Sequence, residues 1–164
     1  MEDYLYDLDP NLDLPMEAAH ALARGLDSRA LRELAGQARD ATYEVREVVP
    51  SVIEELEIGL SDLPEAVFAR AREAASAYLA GSLRFTPAAT RVAELLLAED
   101  YLGFDNRPDT AYTECENLWL LSEWLDAVNQ GYSDSSGYLF ESSDAAERYF
   151  ADIARALTVG NVNR

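Results

Sequence analysis

Thirty-one acidic side chains against thirteen basic ones, all of them arginine, give this 164-residue chain a formal charge of −18. A surface of that sign repels phosphate backbones and anionic lipid headgroups and steers cationic partners inward, so direct binding of nucleic acid or a membrane surface is not expected. Apolar residues at 49% are too many for a disordered acidic tail, and the length suits one domain that buries roughly two thirds of its unfolded surface.

Residues 1–15 combine Asp3, Asp7, Asp9 and Asp13 with two prolines and no base. They read as an acidic N-terminal arm, extended or loosely docked, for which Tyr4, Leu5, Leu8, Leu12 and Leu14 are the available anchors. From residue 16 to 164 the punctuation is helical. A first helix from Met16 to Arg24 stops at Gly25, and a second, capped by Asp27 or Ser28, stops at Gly36, which makes a tight hairpin. The third covers Tyr43 to about Glu57 and ends at Gly59; Pro50 within it lacks a backbone donor and predicts a kink or a split. The fourth follows Asp62, whose spacing to Glu65 suits a capping box with Pro64 in the first turn, and runs to Gly81. Along it Val67, Phe68, Ala71, Ala74, Ala75, Tyr78 and Leu79 share one face.

A fifth helix opens with Thr86 as N-cap and Pro87 at the first helical position, and closes at Gly103. The sixth spans Ala111 to Gln130. Leu118, Trp119, Leu120, Leu121, Trp124 and Leu125 surround most of its circumference with apolar groups, which predicts the central helix of the bundle and places Trp119 and Leu125 in the core. The segment from Tyr132 to Ser143 is a serine- and glycine-rich loop carrying Tyr138, Leu139 and Phe140, with room for one short strand. The last helix runs from Asp144, boxed with Glu147, to Thr158. The fold class is therefore all-α: a single-domain helical bundle of about seven helices, residues 16–164, preceded by the N-terminal extended arm.

Chemistry-bearing patterns are sparse. Asp7, Asp9, Asn11 and Asp13 place oxygens at every second position, as the first half of an EF-hand does, but Leu12 and Ala18 stand where that loop needs glycine and glutamate. Glu17 and His20 form a Glu-x-x-His pair, yet His20 is the only histidine, so neither a di-iron nor a histidine-rich zinc site can be assembled. Cys115 has no second cysteine to pair with and no lysine to activate it, and reads as an inert core thiol. No metal and no cofactor is expected. The start Met1-Glu2-Asp3-Tyr4 lacks a basic region and an apolar run, and apolar runs reach only four residues, as at Leu118 to Leu121; together with the lone cysteine this predicts a cytoplasmic, reducing setting without membrane spans.

Two features point to function. Glu99 lies on the face of the fifth helix that holds Val92, Leu95 and Leu96, making it the candidate buried carboxylate, although its place near the helix end also lets it bend out to water. The acids cluster, eleven with one base from Glu94 to Glu141 and six with none from Glu47 to Glu65. Glu116, Glu123 and Asp126 on the sixth helix, with Glu54 and Glu57 on the third, form the candidate acidic binding face. The plainer reading of such runs is a solvated surface that maintains solubility.

The stretch from Ala21 to Gly36, followed by Tyr43 to Pro50 and Glu54 to Ile58, shows an LARG-x-DS turn, then LRELAG, then an EVR helix. It resembles a group of small, uncharacterised, acidic all-helical proteins of GC-rich bacteria. The resemblance implies a helical fold and brings no activity with it. The leading expectation is a non-enzymatic interaction protein, in the manner of an immunity protein or nuclease inhibitor, whose acidic face meets a basic protein. The alternatives are a helical scaffold or assembly module and a carboxylate-using enzyme or small-molecule binder. The oligomeric state is left open.

Overall fold

A computed structural model describes residues 1–9, 11–97, 109–131 and 140–159, with 109–117 by backbone alone, and every regular element among the described residues is a helix. There are eight: α1 (Glu2–Leu5), α2 (Leu14–Ala23), α3 (Arg29–Ala35), α4 (Thr42–Glu55), α5 (Leu63–Leu79), α6 (Phe85–Leu97), α7 (Asp109–Asn129) and α8 (Ser143–Val159). Beyond the seven expected stands α1, a single turn inside the N-terminal arm. The chain divides into two compact units, Met1–Leu63 and Pro64–Arg164.

In the first unit α3 packs against both α2 and α4. Leu14, Ala18, Leu31, Leu34, Val45, Val49 and Val52 form its core, with Met1, Tyr4 and Leu12 packed on the edge. The arm is docked rather than extended. Tyr6 donates its hydroxyl hydrogen to the Ser61 carbonyl at 2.7 Å, the Ser61 N–H donates to Glu2 Oε1 at 2.6 Å, and Leu8 is buried. The first long helix begins before Met16 because Asp13 caps it, accepting from the Met16 N–H at 3.1 Å, with Pro15 in the first turn. Ser28, one of the two cap candidates for α3, accepts from the Leu31 N–H at 3.1 Å.

Pro50 neither splits nor ends α4, which runs unbroken from Thr42 to Glu55. The ring faces solvent, while Val45, Val49 and Val52 are buried in one row. Three buried valines at ~1.5–3 kcal/mol each outweigh the ~3 kcal/mol penalty of an interior proline. The helix ends at Glu55, short of the expected Glu57, and Glu57 rather than Gly59 takes the left-handed position that closes it. Glu57 takes a left-handed φ of 50°, the Glu57 N–H donates to the Glu54 carbonyl, and the Ile58 N–H donates to the Ile53 carbonyl at 3.0 Å. This is a Schellman closure made without glycine.

In the second unit α6, α7 and α8 pack on one another. Phe150 of α8 is fully buried and carries Tyr78 and Phe85 on its ring at centroid distances of 5.0 and 5.9 Å. On α5 the buried residues are Ala66, Val67, Ala71, Ala74 and Ala75, whereas Leu79, expected on that face, is exposed. The Arg72 Nε–H of α5 donates to the Leu157 carbonyl of α8 at 3.2 Å. Two starts shift: α6 begins at Phe85, so Thr86 is not its N-cap, and α8 begins at Ser143, where the Ser142 hydroxyl rather than Asp144 accepts from the Ala145 N–H at 3.2 Å. The expected stop at Gly103 and the strand segment at 132–139 lie outside the described residues.

Candidate functional site

The largest correction concerns α7. A helix predicted to be central and apolar all round is instead two-sided: Leu118, Leu121, Trp124 and Leu125 are buried, but Trp119 is 54% exposed and Val128 is exposed as well. Leu125 is a core residue, as expected, and Trp119 is not. The core tryptophan is instead Trp124, 9% exposed and edge-to-face with Phe140 at 6.0 Å. Phe140, from the end of the serine-rich loop, is buried there against Tyr149 as well. Burial pushes the Tyr149 phenol above its ordinary pKa.

The turned-out Trp119 shares its side of α7 with acids. Glu123 follows it by four residues and Asp126 by seven, both exposed, and Glu116 precedes it by three on the same helical row. The Glu116 side chain lies outside the described residues, as do Glu99 entirely and the Cys115 thiol. Glu54 and Glu57 are exposed at the end of α4 in the first unit, while Glu116, Glu123 and Asp126 belong to the second.

Two aspartates of the arm, Asp9 and Asp13, serve the backbone. Asp9 Oδ1 accepts from the Asn11 N–H at 3.0 Å, Asp13 Oδ1 caps α2, and Asp7 takes a left-handed φ of 53°. His20 is exposed and sits 3.5 Å from Glu17 on its own helix. Among the described residues no group of three or more His, Cys, Asp or Glu is placed to hold a metal ion. No helix among them is long and apolar enough to cross a membrane.

Two arrangements escaped sequence reasoning. Glu55, at the end of α4, accepts from the Ala30 N–H at 2.8 Å and so caps α3 from another helix. That bond, with a smaller contribution from the Ser28 hydroxyl, holds the Glu55 carboxyl below its ordinary pKa. In the second unit Tyr78 donates its hydroxyl hydrogen to Glu147 Oε1 at 3.3 Å, across 69 residues of chain. Burial, then the Glu147 charge, raises the Tyr78 pKa. Neither pair is adjacent in sequence, so no local spacing could have revealed it.

No protein-family model, curated protein or solved structure matches the chain. Its functional reading therefore rests on geometry and charge.

Proposed function

We propose that the protein is a non-enzymatic interaction protein of the cytoplasm that presents an acidic face to a basic protein partner, in the manner of an immunity protein or nuclease inhibitor. The observation that carries the reading is Trp119, a large aromatic ring standing in water on a row of carboxylates. Tryptophan is the side chain most enriched among interface anchors, and a solvent-facing indole flanked by acids suits an incoming arginine or lysine, which gains a cation–π contact of ~0.5–2 kcal/mol and an ion pair together. The net charge of −18 adds long-range steering of a basic partner and argues against direct binding to nucleic acid.

The test is affinity capture from a lysate of the source cell with four forms of the full chain: wild type, Trp119→Ala, Glu116→Arg/Glu123→Arg, and Glu33→Arg/Asp40→Arg as a charge-matched control at exposed positions of the first unit. A specific partner is a basic protein retained by the wild type and the control and lost from both α7 variants, with association slowing as salt rises. Equal loss in the control would reduce the acidic surface to a solubility feature. Retention by Trp119→Ala would remove the anchor from the proposal.

A further inference from the structure

The second unit holds a different kind of surface from the acidic row on α7, and the inference drawn from it does not depend on that row. A groove of about 1200 Å³ opens where the end of α5, the start of α6 and the middle of α8 meet. Two of its walls are single helix faces. Arg91 and Glu94 lie one turn apart on α6, Arg84 stands immediately before that helix, and Glu147, Ala151 and Arg155 recur at helical spacing along α8. Leu79, Leu83 and Phe85 supply apolar lining.

The charge of this groove runs against the rest of the molecule. Acids outnumber bases more than twofold in the chain, yet three of the thirteen arginines line the groove beside only two glutamates. One of those glutamates, Glu147, already accepts the hydrogen bond from Tyr78. Arg155 pairs with Asp152 on its own helix, an exposed pair that costs little to exchange for another partner. Arg84 is exposed at the mouth.

We propose that this groove binds a small organic anion, a carboxylate or phosphate monoester carried on an apolar ring. The guanidinium groups of Arg84 and Arg155 offer paired donors to the headgroup, and the leucines and Phe85 receive the ring. The volume is ample for such a ligand, because pockets of ~300–1,000 Å³ already enclose drug-sized molecules. In a chain of this net charge the distant field repels anions, so a site for one has to draw on local arginines, as this lining supplies.

Calorimetric and amide-shift titrations of the full chain with phenyl phosphate, benzoate, inorganic phosphate and phenol test the proposal. Saturable binding of phenyl phosphate or benzoate is expected, with shifts at residues 78–94 and 147–155, and whichever binds more tightly identifies the headgroup. Inorganic phosphate and phenol should each bind at least about tenfold more weakly, since each offers half of the recognised chemistry. Arg84→Glu and Arg155→Glu should each weaken binding about tenfold or more with helicity unchanged, and Arg39→Glu in the first unit should not. The proposal is overturned if neither organic anion saturates at millimolar concentration, if phenol binds as well as phenyl phosphate, or if Arg39→Glu weakens binding as much as the groove variants.

Discussion

The two tryptophans of α7 lie five residues apart and should behave in opposite ways when truncated. Trp124 is 9% exposed. An aromatic side chain buries up to ~250 Å², worth ~6 kcal/mol at ~25 cal/mol/Å², and correction for a compact unfolded state lowers this to ~4–5 kcal/mol. Trp124→Ala should therefore cost ~3–5 kcal/mol, the range seen for large aromatic residues in cores. Trp119 keeps 54% of its surface in water, so the same reasoning leaves ~2–3 kcal/mol before the better helix propensity of alanine returns ~0.5 kcal/mol, and the retained methyl group reduces the loss further, to ~1 kcal/mol. Urea unfolding followed by circular dichroism resolves the difference, because ~2–4 kcal/mol at a slope of ~1–3 kcal/mol/M separates the midpoints by ~1 M or more. Emission should agree, with the indole that remains in Trp124→Ala water-like and the one that remains in Trp119→Ala shielded. Equal destabilisation by the two truncations would put Trp119 back in the core and remove the anchor of the proposed interface.

Glu57→Gly should stabilise the protein by ~0.5–1 kcal/mol, because a left-handed residue other than glycine costs ~1–2 kcal/mol and the larger unfolded-state entropy of glycine returns part of that gain. A raised urea midpoint at unchanged slope is the expected result, and a lowered one would show that the Glu57 side chain is needed there. Glu55 is held below its ordinary pKa, so its contribution to stability is complete above the ordinary carboxylate value and disappears as pH falls through the lowered folded-state value. Glu55→Gln should therefore lose less stability than the wild type between neutral and strongly acidic pH. Parallel stability curves for the two would rule out the cross-helix cap.

Much of the helical skeleton was legible in the sequence because its signals are local. A serine hydroxyl reaching the N–H three residues on, as at Ser28, or a glycine at positive φ closing a helix, as at Gly25, Gly81 and Gly131, needs no distant partner. The buried row Val45, Val49 and Val52 of α4 likewise follows from helical spacing alone. What local signals left undecided, packing decided. Pro50 stays inside a continuous helix because the buried valines hold both sides of it. Glu57 takes the left-handed position because the chain turns there, two residues before the available glycine.

The candidate sites divide along the same line. Composition alone established the acidity, and helical spacing alone put Glu116, Trp119, Glu123 and Asp126 on one row of α7. The acids pointed that row to solvent, but whether Trp119 stayed with them was not encoded locally, because Trp119 and Trp124 are equally apolar and either could have pointed inward. Phe140, arriving from the end of the loop before α8, packs on Trp124, and the row carrying Trp119 is left in water. The groove shows the same limit: Arg91 on α6 and Arg155 on α8 are far apart along the chain, and only the packing of Tyr78 and Phe85 against Phe150 brings them and Arg84 around one space. Sequence fixes which side chains share a helix face, since that depends on backbone geometry within a few turns. Tertiary structure decides what each face meets, since that depends on the burial of surfaces far apart along the chain.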